Sequence, residues 1–494
     1  MKNLKEKQKW FHATGVCGHA TAAVTKMFKD MGWFTTGSDI SFNPPAVDIL
    51  DDAGIHYIEG YHYTHLTKEF WEKELSTELN INDKPDLALI VESATSKNNE
   101  YRYAKINKID MRPYSQILGE YLIKDNSIVV AGSAGKTSTT SLIEFLLEKL
   151  DLDPSYMIGG TMVDNPERVR NTDSKWSVIE GDEYHNIKLA NGAKFLEYKP
   201  DYVIITNIGY EHFDIFPTKE NYIEEFGKLK NVISKKGFFI VKNNDENIEK
   251  ALEGSQNKII RYGKKGEVSD YQYETSITKE GLSSFKLFKD NELKIEGETK
   301  LMGTYNIENM LAAYALLDNL SLIGKLETQE DELISFLKEN LPKFNGIEKR
   351  LQILNSTENF IVIDDYGVAP SRAINSINTL REYYPEFKVT AIFEPNSGSR
   401  TKDKKLFMDS YKGVFSNVDE VIIPTLSTAK DEFAGVDEFM SWFNELGFNS
   451  IHIASEDILN YLQNKFKDKK EKPLIVFFSA NRLTQVAHDF SNWI

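Results

Sequence analysis

The sequence is nearly devoid of cysteine, with Cys17 the single example in 494 residues. A disulfide within the chain would need two cysteines, so none is expected, which is typical of a reducing compartment. No apolar run reaches the roughly 18 residues that a membrane span requires, and the N-terminal residues hold no apolar stretch typical of a signal peptide. These absences predict a cytoplasmic protein that does not enter a membrane.

Positive charge is also in short supply. The chain has 59 lysines and arginines against 75 aspartates and glutamates, and its formal net charge is −16. Nucleic acids and membrane surfaces attract proteins with a basic face, so this balance argues against both as partners. A small anionic ligand is not excluded, because a local group of backbone N–H groups and one lysine are enough to bind a phosphate.

The residues that are present alternate short β-branched or aromatic runs with longer amphipathic runs. This alternation is typical of α/β domains built on parallel sheets, and the length allows two to four domains at roughly 100–200 residues each. Three such series follow one another along the chain. They predict a Rossmann-like domain over residues 1–124, a central domain with a parallel sheet over 125–330, and a second Rossmann-like domain over 331–494.

One segment carries a specific chemistry: NSIVVAGSAGKTSTTS at 126–141 places a small-residue turn between a strand and a helix. Backbone N–H groups at a helix start bind phosphates, Lys136 can reach the β- and γ-phosphates, and the Thr137 hydroxyl can ligate Mg²⁺. Val130 stands where the general motif has its first glycine, so a chance Gly-Lys-Thr is the alternative. The other residues of the predicted phosphate loop are Gly132, Ser133, Ala134, Gly135 and Ser138.

Polar side chains also follow two later strands. Glu180 ends the run WSVIE, and His212 and Asp214 follow the run beginning DYVIITN at 201–207. Ligands of an open parallel sheet bind at the carboxyl ends of its strands, so these side chains are expected to face the phosphate loop and hold Mg²⁺. Imidazole is a less usual magnesium ligand than carboxylate, and solvated turns are an equally weighted alternative.

Several segments, in this order and spacing, resemble motifs of the muramyl (Mur) ligase family over nearly the whole chain. They are GVCG (15–18), GSDISFNPP (37–45), AGSAGKTSTTS (131–141), EGDEY (180–184), NIGYEHFDIF (207–216), GTYNIENMLAA (303–313), FNGIEKRLQ (344–352) and DDYGVAP (364–370).

The resemblance implies a three-domain architecture. The first domain binds the UDP end of a substrate, the middle domain is a P-loop ATPase domain that binds ATP, and the last takes the amino acceptor. It assigns catalytic roles to Lys136, Glu180, His212 and Arg350, and metal binding to Thr137, Glu180 and His212. It extends the ATP site to Asn306 and Asn309 at the adenine, Arg350 at the γ-phosphate and Asp365 at the ribose. It places Gly15, Gly18, Ser38 and Asp39 at the uridine diphosphate.

The family reaction uses ATP and Mg²⁺ to activate a carboxylate as an acyl-phosphate, which an amine then attacks. The forms of EGDEY, EHFDIF and GSD-x4-PP favour ligation of the lactyl carboxylate of UDP-N-acetylmuramate to the tripeptide L-Ala-γ-D-Glu-meso-diaminopimelate, in peptidoglycan recycling or biosynthesis. Free L-alanine is the alternative acceptor. The protein is expected to be a monomer or weak homodimer, with no nucleic-acid or membrane partner.

The sequence departs from the family at positions on the acceptor side. Val368 and Ala369 stand where the family has two histidines, and Tyr305 replaces another. The identity of the amine is therefore left open. A non-catalytic ATP-binding relative and a phosphotransferase remain further alternatives.

Overall fold

The computed structural model divides the chain into two compact units. The first comprises Met1–Glu274, Lys286–Ile295 and Ile307–Phe344, and the second comprises Thr275–Phe285, Glu296–Asn306 and Asn345–Ile494. The structure describes residues 6–91, 97–185, 192–210, 212, 215–395, 404–425, 436–467, 472–480 and 482–494. Asp214 lies outside these ranges.

A five-stranded sheet opens the first unit, in the order β3-β2-β1-β4-β5 and with every pairing parallel. The chain leaves β1 toward β2 and returns on its other side at β4, so β1 and β4 form a topological switch point, where such sheets bind ligands. The strands are β1 (Trp10–Thr14), β2 (Phe34–Asp39), β3 (His56–Glu59), β4 (Leu87–Ile90) and β5 (Met111–Arg112). The helices are α1 (His19–Asp30), α2 (Ala46–Asp52), α3 (Lys68–Glu74), α4 (Asn99–Ile106) and α5 (Tyr114–Tyr121).

A ten-stranded sheet follows, in the order β15-β14-β13-β12-β11-β10-β6-β9-β7-β8. Its strands are β6 (Asn126–Ala131), β7 (Ser155–Met157), β8 (Val169–Arg170), β9 (Trp176–Glu180), β10 (Tyr202–Ile205), β11 (Phe238–Lys242), β12 (Lys258–Lys264), β13 (Tyr271–Ile277), β14 (Ser283–Lys289) and β15 (Glu292–Thr299). Strand β6 is fully buried and pairs in parallel with both β10 and β9. The carboxyl ends of these three strands therefore meet at one edge.

Helices of this region flank the sheet. They are α6 (Lys136–Lys149), α7 (Lys219–Gly227), α8 (Leu229–Val232), α9 (Glu246–Leu252), α10 (Thr304–Leu322) and α11 (Glu330–Asn340). Helix α10 has apolar residues all round and is buried along most of its length, as expected of a helix without a solvent face.

The third sheet lies in the second unit and has the order β16-β17-β21-β18-β19-β20. All its pairings are parallel except the edge pair β16–β17, which is antiparallel. The strands are β16 (Gln352–Thr357), β17 (Phe360–Asp365), β18 (Lys388–Phe393), β19 (Glu420–Ile423), β20 (Ser450–His452) and β21 (Pro473–Phe478). The helices are α12 (Pro370–Tyr383), α13 (Lys404–Tyr411), α14 (Val436–Glu445), α15 (Ile458–Lys465) and α16 (Thr484–Trp493).

The α/β fold with three parallel-rich sheets is confirmed, whereas the domain boundaries at 124/125 and 330/331 stay predictions. Strand β9 coincides with the run WSVIE and β10 stops at Ile205, so the polar residues that follow these strands leave the sheet. Within the described residues, no helix combines the length and the apolar character that crossing a membrane requires.

One buried carboxyl group works against the stability of this fold. Glu144 on α6 is 1% exposed, and neither of its oxygens has a hydrogen-bond partner within the described structure. Burial, together with the negative charge of Glu148, raises the pKa of Glu144 to about 8. The folded protein thus holds a proton that the unfolded chain gives up near pH 4.5, so stability falls as the pH rises from about 4.5 to about 8.

Replacing Glu144 with methionine should stabilise the protein by about 1–3 kcal/mol near pH 8, because it removes an unpartnered buried polar group at similar volume. The gain should be smaller at pH 5, because only a small part of the stability loss that accumulates between pH 4.5 and pH 8 has occurred there. Urea unfolding at the two pH values measures it. The matched control is Glu224→Met at an exposed position of α7, where a change within about 0.5 kcal/mol is expected. Equal stability of Glu144→Met and wild type at pH 8 would contradict the prediction.

Candidate active site

The turn between β6 and α6 has a conformation that depends on glycine. Gly132 and Gly135 have φ values of 135° and 82°, in the left-handed region. A Cβ atom on Gly132 would lie 2.1 Å from Thr206 Oγ1, so no side chain fits there. Helix α6 begins directly after Gly135, at Lys136, and the amides of its first turn have no acceptor within the helix. The turn therefore presents a helix N-terminus to an anion, as the sequence predicts.

The end of β10 braces this phosphate loop. The Ser133 N–H donates to the Asn207 carbonyl oxygen and the Ala134 N–H to Asn207 Oδ1, both at 3.1 Å. The Thr206 hydroxyl donates to the Ala134 carbonyl oxygen at 2.5 Å. The bracing residues Thr206 and Asn207 are missing from the sequence-based assignment, although Asn207 opens the motif NIGYEHFDIF. Their role depends on the β6–β10 pairing, which the sequence does not show.

The ammonium group of Lys136 is held at the mouth of the loop. It donates to Glu183 Oε2 at 2.8 Å and to the Gly132 carbonyl oxygen at 2.5 Å. Glu183 is 1% exposed. Burial works to raise its pKa, but His212 and Lys136 together hold the pKa of Glu183 below its ordinary value. A buried carboxylate thus fixes the position of the lysine that the sequence assigns to the phosphates.

Glu183 also contacts the imidazole of His212. His212 Nε2 lies 3.1 Å from Glu183 Oε1. The Tyr222 hydroxyl donates to the same oxygen at 3.4 Å. His212 has a φ of 57°, which residues other than glycine rarely adopt, so its backbone is strained at this point. Glu183 is therefore a central residue of the site that sequence reasoning missed. Glu183 is the fourth residue of EGDEY, a motif from which sequence reasoning assigned only Glu180.

Glu180 lies beside the start of α6. Its Oε1 accepts a hydrogen bond from the Thr137 hydroxyl at 3.1 Å, and its Oε2 accepts one from the Gly159 N–H at 2.7 Å. Burial raises the pKa of Glu180, although the charge of Lys136 opposes this. A carboxylate and a hydroxyl oxygen at this separation are suitable Mg²⁺ ligands.

His212 contacts Glu183, and no hydrogen bond joins it to Glu180 among those described. Nowhere in the described part of the chain do three histidine, cysteine, aspartate or glutamate side chains gather as a metal-binding group. A magnesium site at Thr137 and Glu180 fits the oxygen donors present. The assignment of His212 as a metal ligand stays a prediction.

Asn309 provides an unused hydrogen-bond donor beside the loop. Its Oδ1 lies 3.3 Å from the Cβ position that a side chain on Gly135 would occupy. The residue is 6% exposed, and its Nδ2 makes no hydrogen bond to the described protein atoms. Buried amide groups are almost always hydrogen-bonded, so this one fits a site whose ligand supplies the acceptor. The observation supports a nucleotide at the loop.

The remaining predicted ATP-site residues belong to the second unit. The Asn306 side chain donates to the Met302 carbonyl oxygen at 2.7 Å. Asp365 is buried at the end of β17, and burial raises its pKa to about 6, while the positive charge of the exposed Arg350 lowers it. Its Oδ2 accepts a hydrogen bond from the Leu351 N–H at 2.8 Å. In this structure Asp365 therefore fixes the chain next to Arg350.

The structure brings together the four residues assigned to uridine diphosphate. Gly15 and Gly18 form the turn between β1 and α1, where the Gly18 N–H donates to the Gly15 carbonyl oxygen at 3.3 Å. The Gly15 N–H donates to the Ser38 carbonyl oxygen at 2.8 Å, and Asp39 Oδ2 accepts a hydrogen bond from the Cys17 N–H at 2.8 Å. The turn therefore lies at the carboxyl ends of β1 and β2, the edge at which ligands of such sheets bind.

The positions at which the family resemblance places histidines lie in the second unit. Val368 is buried at 3% exposure, and Ala369 is the residue that precedes α12. Tyr305 is 43% exposed. The two positions after DDYG therefore carry no side chain that can donate a hydrogen bond or bear a charge.

The chain matches two models of a known protein family. Residues 11–125 match a family model described as "Mur ligase family, catalytic domain", and residues 130–317 match one described as "Mur ligase middle domain". The chain is 26% identical over 467 residues to UDP-N-acetylmuramate–L-alanine ligase from Clostridium acetobutylicum, an alignment that covers 93% of each protein.

Solved structures that share the fold include two ligases. One is UDP-N-acetylmuramate–alanine ligase from Thermotoga maritima, with a TM-score of 0.73, 21% identity and 98% of each chain covered. The other is a murein peptide ligase from Psychrobacter arcticus, with a TM-score of 0.65, 20% identity and 98% of each chain covered. The two family models together match more than half of this chain. The chain belongs to the Mur ligase family, and it is an ATP-dependent ligase that forms a carbon–nitrogen bond.

Proposed function

We propose that the protein joins the lactyl carboxylate of UDP-N-acetylmuramate to the amine of free L-alanine. The observation that carries the proposal is the braced phosphate loop, in which Lys136 is fixed by the buried Glu183. The choice of L-alanine rests on the curated relative that aligns over nearly the full chain. It replaces the tripeptide favoured by the sequence motifs, which remains a second candidate because a murein peptide ligase shares the fold.

In the proposed reaction, the lactyl carboxylate attacks the γ-phosphate of ATP, ADP leaves, and the amine then displaces phosphate from the acyl-phosphate. Negative charge accumulates at the γ-phosphate, so the protein must supply positive charge in fixed positions. The N-terminus of α6 and the Lys136 ammonium do this. Magnesium, when bound, would neutralise further phosphate oxygens, and Thr137 and Glu180 are the residues that would hold it.

The contacts of Lys136 suit this task. An ammonium group has three N–H donors, and two of them are taken by Glu183 and the Gly132 carbonyl oxygen. The third donor can meet a phosphate oxygen without breaking either contact. Glu183 thus orients the lysine before ATP arrives, and the same carboxylate orients the His212 imidazole. Preorganised charge of this kind lowers the barrier because nothing has to reorient during the reaction.

Phosphate release in the presence of UDP-N-acetylmuramate, ATP and Mg²⁺ tests the proposed function. We expect release to depend on L-alanine and to yield the alanyl product, because the carboxylate needs an amine to complete the ligation. The tripeptide L-Ala-γ-D-Glu-meso-diaminopimelate is the comparison acceptor. A higher kcat/KM with the tripeptide would support the second candidate, and no release with either amine would contradict both.

Replacing Lys136 with methionine should lower kcat/KM for ATP by roughly 100- to 1000-fold, because it removes a preorganised positive charge at the γ-phosphate. Steady-state kinetics measure this loss. The control is Lys149→Met in the last turn of α6, which is exposed and should leave kcat/KM unchanged within about twofold. A Lys136→Met variant with wild-type turnover would show that another group neutralises the phosphate.

Replacing Glu183 with glutamine should lower kcat by roughly 10- to 100-fold, since residues that orient direct ligands contribute in this range. The KM for UDP-N-acetylmuramate should not change, because Glu183 contacts only the ATP-loop side of the site. The matched control is Asp182→Asn, whose carboxylate accepts from Lys194 at 2.9 Å and has no described contact with the loop. Unchanged kcat in Glu183→Gln would exclude the positioning role.

A further inference from the structure

Another buried carboxylate lies beside the first sheet, outside every assignment made above. Glu100 on α4 is 0% exposed. Its Oε2 accepts hydrogen bonds from the Thr14 hydroxyl at 2.8 Å and from the Ser38 hydroxyl at 2.7 Å. His65 Nδ1 lies 2.8 Å from its Oε1. A buried ionised carboxylate is stable only with such partners, so this cluster is a built polar site within an apolar sheet.

A short hydrogen-bonded chain of Trp10, Thr36 and His12 ends beside the same carboxylate. The indole N–H of Trp10 donates to Thr36 Oγ1 at 2.8 Å, and that oxygen lies 2.9 Å from His12 Nδ1. His12 Nε2 lies 3.5 Å from Glu100 Oε2. Burial works to raise the pKa of Glu100, but the two histidines hold it at about 2. Glu100 is therefore ionised at neutral pH and can only accept hydrogen bonds.

The two hydroxyl donors belong to the strand ends that carry the predicted uridine diphosphate turn. Thr14 is the last residue of β1 and directly precedes Gly15. Ser38 lies near the end of β2, and its carbonyl oxygen accepts from the N–H groups of Gly15 and Val16 at 2.8 and 3.1 Å. Its hydroxyl donates to Glu100, and the assignment of Ser38 to the uridine diphosphate stays a prediction. Glu100 thus joins both sides of the turn.

We propose that Glu100 is the positioning residue of the uridine diphosphate site, an inference that rests on the proposed function. Its carboxylate fixes the ends of β1 and β2 at the switch point. Through Ser38, whose carbonyl oxygen accepts from the N–H groups of Gly15 and Val16, it also fixes the backbone of the turn that leads into α1. Without this carboxylate, the hydroxyl groups of Thr14 and Ser38 and the imidazole of His65 lose their common hydrogen-bond partner. The turn between β1 and α1 then relaxes. Small displacements of binding groups weaken affinity strongly, so the effect should appear in nucleotide-sugar binding and leave ATP binding intact.

Isothermal titration calorimetry, with uridine diphosphate as the probe and ADP as the comparison, tests the inference. Glu100→Gln keeps the shape of the side chain, and we expect it to weaken uridine diphosphate binding about 10-fold, with ADP affinity unchanged within about twofold. In turnover, the KM for UDP-N-acetylmuramate should rise about 10-fold at constant kcat. A merely structural role would not separate the two nucleotides or the two kinetic constants.

Thr14→Val, which removes one donor at nearly constant volume, should weaken uridine diphosphate binding about threefold. The matched control is Thr35→Val on β2, because the Thr35 hydroxyl is buried and has no hydrogen-bond partner in the described structure. It should bind as the wild type does. If Glu100→Gln does not fold, Thr14→Val decides the question.

Binding of uridine diphosphate with wild-type affinity by Glu100→Gln, or by Thr14→Val where the former is unfolded, would overturn the inference. An equal loss of uridine diphosphate and ADP affinity would also overturn it, since that result indicates general disruption. A wild-type protein that binds ADP but not uridine diphosphate would instead overturn the proposed function, and the inference with it.

Discussion

The ion pair between Lys136 and the buried Glu183 is the interaction on which the rest of the candidate active site depends. A carboxylate that is 1% exposed must be paired, and here its partners are the ammonium of the phosphate loop, an imidazole and a tyrosine hydroxyl. The pairing places a cation beside the N-terminus of α6 before any ligand is present. Affinity for a triphosphate and neutralisation of its charge during transfer follow from the same arrangement.

A buried carboxylate, Glu100, has a similar role beside the first sheet in the inference drawn above. In both places an acidic side chain beyond the end of one strand accepts hydrogen bonds from residues near the ends of neighbouring strands. Parallel strands end at a common edge, where backbone groups and polar side chains have no further sheet partners. A buried carboxylate satisfies several donors at once and thereby fixes the turns that bind ligands.

The second unit departs from the family pattern at two adjacent positions. Where the family has two adjacent histidines, this chain has a buried valine and an alanine. Neither can donate a hydrogen bond from its side chain. Under the proposed function, recognition of the amine therefore uses other groups, and acceptor choice is the property that these two replacements can alter.

The amino-acid sequence by itself determined the α/β class, the place of the phosphate loop and the order of the family motifs. Those features depend on local periodicity and short spacings, such as the apolar strand before Gly132 and the helix after Gly135. The tertiary structure alone decided which carboxylates organise the sites, because Glu183 lies 47 residues from Lys136 and Glu100 lies 86 residues from Thr14. It also decided that the Ser38 hydroxyl faces Glu100 and that β16 pairs antiparallel at the sheet edge. Contacts across such separations depend on strand order and side-chain direction, which local sequence patterns do not encode.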